Sequence, residues 1–459
     1  MIKNLLLASI RSITRSKYYT LISVVGLGIG ISCFVIISSY VAFEESFDSF
    51  HRDGASVYRV TSQKIQNGEI QNTRAQAPVI LKDALQENVP EIETAIRIHP
   101  LDAKKVTLRR DLENGERIDV VENKVYHSES AFFSLFNFEL ISGNKENLLD
   151  EPYTVVLSES VSKKLFGDEN PVGKSLRIIE DFDQVYEVTG VMRDLPSNTH
   201  FEFNLLISFE SFRAQHPNWR WTAWDWDYFF TYIRASPDVT RDELLSKIQS
   251  VADRVGRPQY EERSYTMNFE LQPVQDIYLT SQLEGEFKVN GEGRYLSYLY
   301  GIAIAILVLA WINFMNLAVV RVMDKASEVG VRATFGASKL HLAVQALAEM
   351  AILNLFSIVL AVLIVSLLSN PVANLLNIHL PTPQLDSLQF WLMMGLLWMG
   401  SITITSIYPL FILLRFQPKK VLKGKVEHSI RGARLWKGLV IFQYSVSILL
   451  IVLTLVVQK

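Results

Sequence analysis

YYTLISVVGLGIGISCFVIISSYVAF, residues Tyr18–Phe43, is an apolar run without a charge. About 20 residues of helix cross the hydrocarbon core of a bilayer, and this run exceeds that length. Lys3, Arg11, Arg15 and Lys17 precede it, as basic residues precede a secretory signal. A signal peptide has a shorter core and a small-residue cleavage site. Here Glu44 and Glu45 follow instead, so the segment reads as an uncleaved anchor. Four further runs of similar character lie at Leu296–Val320, Leu342–Leu368, Phe390–Leu414 and Leu435–Val457. The expected fold is therefore an α-helical transmembrane bundle. A large extracytoplasmic mixed α+β domain, residues 44–295, is inserted between the first and second spans.

The overall 49% apolar and 20% charged residues average over these two compositions, and the net charge of −3 says little about partners because the charge is segregated by region. The single cysteine, Cys33, lies in the first span, so the chain forms no internal disulfide and no cysteine-based metal site.

Lys and Arg near the span ends set the orientation. The flank 1–17 is basic. The connector 321–341 carries Arg321, Lys325, Arg332 and Lys339, and the connector 415–434 carries Arg415, Lys419, Lys420, Lys423, Lys425, Arg431 and Arg434. Between the third and fourth spans, residues 369–389 contain no Lys or Arg. The N-terminus and both basic connectors are expected in the cytoplasm, with the large domain and the 369–389 loop on the opposite side.

Within the large domain, alternation at Val155–Leu157, Tyr186–Val188 and Phe201–Leu205 predicts strands. Helical spacing at Pro78–Asn88, Ser158–Phe166 and Arg241–Val255 predicts helices, and the interleaving suggests an α+β or mixed α/β domain. From Trp224 the aromatics fall on every second residue, Trp226, Tyr228, Phe230 and Tyr232, which is strand spacing with one aromatic face. That face either packs on the core or holds a lipid, a peptide or a partner protein. His51, His99, His127, His200 and His216 are scattered and read as surface or satisfied histidines. The stretch Gly167–Ser175 resembles a phosphate-binding loop but has five residues before Gly173-Lys174 where four are required. One of them, Pro171, has no N–H to give a phosphate. It reads as a turn. With no zinc-type spacing and no Gly-x-Ser-x-Gly elbow, nothing points to catalysis in this chain.

The connector Arg321–Leu340 is the most informative segment. Gly336-Ala337-Ser338 reads as a helix stop followed by a new N-cap at Ser338. A short amphipathic cytoplasmic helix here either docks into a groove of a soluble partner or serves as a plain basic anchor. At the N-terminus Ile2, Leu5, Leu6, Ile10 and Ile13 share one helical face, as in an interfacial helix in contact with lipid headgroups. In the first span Gly26 and Gly30 form a Gly-x-x-x-Gly pair. It packs either against a second copy or against a neighbouring helix of the same chain.

These residues carry a resemblance. Ser327-Glu-Val-Gly-Val-Arg332 followed by Phe335-Gly-Ala-Ser338, with Tyr408-Pro409, Pro418 and Leu422-Lys-Gly424, resembles the FtsX-like permease domain. Val155-Val-Leu-Ser-Glu159, Leu165-Phe-Gly-Asp168, Asn170-Pro-Val-Gly-Lys174 and Gly190-Val-Met-Arg-Asp-Leu-Pro196 resemble the MacB-type periplasmic core domain. The resemblance implies a non-enzymatic permease subunit of an ABC transporter in the bacterial inner membrane. Its implied partners are a cytoplasmic ATPase that holds ATP and Mg, a second copy or an internal pseudo-dimeric half, membrane lipid and a periplasmic protein, with no nucleic acid. Coupling to the ATPase is expected at Glu328, Gly330, Arg332, Gly336, Ala337 and Ser338. The simple permeases of this type end after the fourth span. The fifth span here, preceded by Arg431–Lys437 in parallel with Arg11–Lys17, reads as the start of a duplicated second half. The alternative from a different class is a membrane-anchored envelope sensor or adaptor without transport activity.

Overall fold

The structure, a computed structural model, describes residues 2–101, 105–145, 147–179, 183–325, 338–376, 378, 387–415 and 430–457. Two compact units result, Met1–Phe43 with Arg294–Lys459, and Glu44–Gly293. Helices α1 (Ile2–Arg15) and α2 (Lys17–Glu45) open the chain. The second unit then carries β1 (Val57–Gln66), β2 (Glu69–Arg74), α3 (Leu81–Asn88), β3 (Ile92–Pro100), β4 (Val106–Asp111), β5 (Arg117–Glu122), β6 (Val125–Ser128), α4 (Phe132–Leu135) and β7 (Leu140–Gly143). It continues with β8 (Thr154–Ser158), α5 (Glu159–Phe166), β9 (Ser175–Ile179), β10 (Asp183–Met192), β11 (Leu205–Ser208), α6 (Phe209–Gln215), β12 (Phe230–Ala235), α7 (Arg241–Val251), α8 (Arg257–Glu261), β13 (Thr266–Pro273) and α9 (Ile277–Thr280). The first unit resumes with α10 (Gly293–Asp324), α11 (Lys339–Leu376), α12 (Leu388–Arg415) and α13 (Ile430–Val457).

In the helical unit, α2, α10, α11 and α12 are long and apolar enough to cross a membrane, and α13 contributes a shorter described apolar stretch, Val440–Leu449. Lipid removes most of the hydrophobic drive between helices, so packing and interhelical hydrogen bonds hold them. Leu27 and Ile31 of α2, Ala310 and Phe314 of α10, and Leu353 and Ala361 of α11 share one core. Trp311 Nε1 donates to Ser401 Oγ at 2.7 Å, and Trp398 Nε1 to the Ala351 carbonyl at 3.2 Å. The third span, expected to stop at Leu368, stays helical to Leu376 through Pro371.

In the large unit, thirteen strands join one sheet in the order β13-β1-β12-β3-β6-β11-β8-β10-β9-β4-β5, with β2 on β1 and β7 on β10. β8 is buried along its whole length and pairs parallel with β10, which is why Val155–Leu157 is a continuous apolar run where alternation was expected. β13 alternates exposed and buried residues, with Met267, Phe269 and Leu271 turned inward. Capping sets two helix starts. Ser158 Oγ accepts from Val161 N before α5, and Thr240 with Glu243 forms a capping box on α7.

Three sequence expectations are corrected. Phe201–Leu205 is not a strand; pairing starts at Leu205, and Phe201 and Phe203 instead bury in a ring cluster with Phe132, Phe136 and Phe138. The aromatic stretch becomes strand only at Phe230. Before that, turns stack Trp219 edge-on to Trp226 with centroids 4.9 Å apart, while Trp224 is buried and Tyr228 is exposed, so no single aromatic face forms. Finally, His51, His99, His127 and His200 are all buried; His200 is satisfied at both ring nitrogens, as expected, but His51 Nε2 and the Nδ1 atoms of His99 and His127 have no hydrogen-bond partner.

Gly167–Ser175 is a turn. Gly167 at φ +61° ends α5, Gly173 at φ +81° turns the chain into β9, and Lys174 pairs with Glu169. Among the described residues no group of three or more His, Cys, Asp or Glu is arranged to hold a metal ion.

Candidate coupling site

Glu328, Gly330, Arg332, Gly336 and Ala337 lie outside the described residues. What the structure shows are the two ends of that segment. It leaves α10, which closes at Asp324, and returns through Ser338. The Ser338 Oγ accepts from His341 N at 3.2 Å and caps the first turn of α11, because its hydroxyl satisfies one of the N–H groups that a helix start leaves open.

Behind these ends lies a buried polar cluster. Arg321 on α10 forms an ion pair with Glu349 on α11, and both residues are buried. Lys325, just past the end of α10, reaches the same carboxylate at 3.2 Å. Ser12 of α1 joins them: its Oγ donates to Glu349 at 3.0 Å, and Arg321 Nη2 donates to the Ser12 carbonyl at 3.0 Å. Arg321 also stands 4.5 Å from the centre of the Tyr19 ring. A carboxylate inside an apolar helix is stable only when cations and donors surround it. The cluster therefore ties α1, α10 and α11 together at the base of the 326–337 segment.

The sequence displayed Arg321 and Lys325 only as orienting charges, and Ser12 not at all. Glu349 was the available signal, an acid several residues inside the third apolar run. The apolar stripe of α1 is split: Ile13 is buried, whereas Ile10 is exposed.

The glycines of α2 face helices of the same chain. A Cβ on Gly30 would sit 2.3 Å from the Ala310 Cβ, one on Gly26 would sit 3.3 Å from Asn313 Nδ2, and one on Gly28 would sit 3.0 Å from Leu360 Cδ2. The contact at Gly30 leaves no room for any side chain. Gly30→Leu is expected to drive α2 and α10 apart and to cost about 1–3 kcal/mol or more in bundle stability. Thermal unfolding in detergent checks this, with Gly301→Leu, where a Cβ meets nothing within 4 Å, as the control that leaves the midpoint in place.

Residues 20–251 match the family described as the MacB-like periplasmic core domain, and residues 300–418 match the FtsX-like permease C-terminal domain. The chain belongs to the MacB/FtsX-like family of ABC transporter permeases. Three solved structures are similar to part of this MacB/FtsX-like chain. One is a domain described as belonging to a permease protein from Porphyromonas gingivalis, at 23% identity and TM-score 0.40, covering 49% of this chain and 91% of that one. The periplasmic region of MacB from Actinobacillus actinomycetemcomitans follows at 15% identity and TM-score 0.30, covering 45% and 87%. The extracellular domain of the noncanonic ABC-type transporter YknZ from Gram-positive bacteria stands at 15% identity and TM-score 0.30, covering 45% and 98%. No curated protein matches the chain. Membership of the MacB/FtsX-like family makes this a membrane protein with an extracytoplasmic domain, and implies an ATPase partner and a dimeric arrangement.

Proposed function

We propose that the chain is the subunit that receives the stroke of a separate cytoplasmic ATPase, which holds ATP and Mg, and passes it through the spans to the extracytoplasmic domain. The observation that carries this reading is the Ser12–Arg321–Lys325–Glu349 cluster. A lever transmits force only if its base is held. Here the described residues on either side of the segment bearing Glu328, Gly330, Arg332, Gly336 and Ala337 hold Arg321, Lys325 and Glu349 in one polar cluster, which Ser12 joins to α1. The basic flanks support placement in the bacterial inner membrane with the N-terminus inside. Efflux, lipoprotein release and control of an envelope hydrolase are all outputs of such a subunit. A sensor or adaptor would have no need of an ATPase.

The test is reconstitution with the ATPase and measurement of its stimulation. Gly336→Leu and Arg332→Glu are expected to abolish most of the stimulation while the protein remains in the membrane. Glu328 and Arg332 stand one helical turn apart in sequence, and an exposed pair of that kind contributes only about 0.3–0.5 kcal/mol. Full stimulation by both variants would reduce the segment to a topological anchor.

A further inference from the structure

The chain leaves α2 at Glu45 and comes back to α10 at Gly293, and these two connections are bound to each other inside the large unit by a network of buried charges. Asp48, just past α2, is wholly buried. Its carboxylate accepts from Thr199 Oγ1 at 2.6 Å and from His200 N at 3.1 Å, and meets His200 Nδ1 at 2.8 Å. The other ring nitrogen of His200 lies 2.8 Å from the Tyr232 hydroxyl on β12. On the neighbouring β1, the buried Arg59 donates from Nη1 and Nη2 to Glu286 at 2.6 and 2.8 Å, and also to Gln272 at 2.7 Å and Ser281 at 2.9 Å.

Glu286 lies in the segment that runs up to α10. Around this network the two connections touch directly. The Phe47 and Tyr278 rings stack with centroids 3.4 Å apart, and the Tyr278 hydroxyl donates to Glu44 at 2.7 Å. Lys288 sits 4.9 Å from the centre of the Phe47 ring and donates to the Thr199 carbonyl at 2.7 Å.

Burying an acid, an imidazole, a guanidinium and a second acid gains little stability over an apolar core of the same shape. What such a set does supply is a single geometry, since every member loses its partner if another moves. We propose that Asp48, Arg59, His200 and Glu286 are positioning residues of a clasp, closed by the Phe47–Tyr278 stack, that makes the exit from α2 and the return to α10 one rigid piece. Displacement of either span then arrives at β1 and β12 as movement of that piece, with no slack taken up in two independent linkers. This rests on the transmission reading above and adds the residues that carry it out of the spans.

Spin labels at Ser49 and Val289, both exposed, report on the clasp in the full chain in nanodiscs, with Cys33→Ala removing the native thiol. Electron–electron double resonance is expected to give one narrow distance, unchanged when the ATPase complex is trapped with a non-hydrolysable nucleotide. Tyr278→Ala removes the stack and the Glu44 bond but leaves the buried charges; it is expected to broaden the distribution and lower ATPase stimulation while the thermal midpoint stays near that of the parent. Asp48→Asn is expected to broaden it further. A wild-type distance that shifts with nucleotide, or a folded Tyr278→Ala with the narrow parental distance, overturns the clasp. The nucleotide-free comparison needs no ATPase, so it decides the clasp even if no ATPase is stimulated and the transmission reading falls.

Discussion

Arg97→Leu is expected to cost about 3–5 kcal/mol of stability in the large unit, the range seen when one partner of a buried ion pair is removed. Arg97 stands on β3 with only 1% of its surface exposed. Its Nη1 donates to Asp83 at 2.8 Å and to the Val79 carbonyl at 3.0 Å, and its Nη2 donates to Glu129 at 2.7 Å. The same Glu129 carboxylate accepts the Arg97 backbone N–H at 2.8 Å, and the guanidinium lies 4.5 Å from the centre of the Phe209 ring. One side chain thus joins the central sheet, α3, the start of α4 and α6. Removing it leaves the Val79 carbonyl without its donor and the two carboxylates with only their longer contacts to Lys82 and Arg213 and the Arg97 backbone N–H. Lys is not a substitute, because its point charge cannot span the two acids as the planar fork does. Chemical unfolding of the full chain in detergent checks the value. Arg97→Leu combined with Glu129→Leu should recover part of the loss, since replacing both partners by apolar groups is far less costly than stranding one. A single variant as stable as the parent would show that the network contributes nothing.

The second large effect is acid sensitivity. Burial pushes the His99 imidazole down to about 4, and burial does the same to His51, also to about 4, against the opposing pull of the Asp48 carboxylate. His127 is pushed well below its ordinary value, again by burial first and then by His99 and His216. His99 and His127 each lie 4.8 Å, ring centre to ring centre, from Phe212. In the unfolded chain these residues titrate near 6.5. Between that value and about 4, the unfolded state therefore binds more protons than the folded one. Their contribution is complete above the unfolded value and is lost as the pH falls through that window. For His99, the drop from 6.5 to about 4 corresponds to a loss on the order of 3 kcal/mol by pH 4. Asp48 adds to acid lability at lower pH. Burial raises its pKa but His200 and Thr199 outweigh this, so it is held below the ordinary aspartate range and its contribution goes as the pH falls through that depressed value.

Tryptophan fluorescence is a suitable monitor, because Trp219 and Trp221 contact the Phe212 ring on which both histidines stack. Unfolding midpoints are expected to drop steeply from pH 6.5 to 4. The double substitution His99→Phe, His127→Phe keeps the aromatic packing and should flatten much of that slope. A slope unchanged in the double variant would place the acid sensitivity elsewhere.

Much of this chain was legible before any coordinates. Hydropathy over about twenty residues is a local property, so α2, α10, α11 and α12 were readable as spans. The N-cap at Ser338 and the turn at Gly167–Ser175 were readable for the same reason, since both depend on residues within one turn of each other. Periodicity failed where the partner was remote. The alternation in Trp224–Tyr232 looked like one aromatic face, but turns with rings stacked on rings absorb it until Phe230 meets β3. The histidines looked scattered because nothing in a single strand says which face a long-range pairing will bury.

The sequence by itself determined that this is a membrane protein with a large extracytoplasmic domain after its first span, and the MacB/FtsX-like family to which it belongs. All of that rests on composition and on motifs a few residues long. Only the tertiary structure decided that Ser12 meets Glu349, that Gly30 faces Ala310, and that Asp48 and Glu286 belong to one buried network. Those contacts join residues hundreds of positions apart in the first case. Charges and small residues carry no mark of their partner in the sequence; burial selects it, because a charge removed from water persists only where the fold brings its counter-charge within hydrogen-bonding distance.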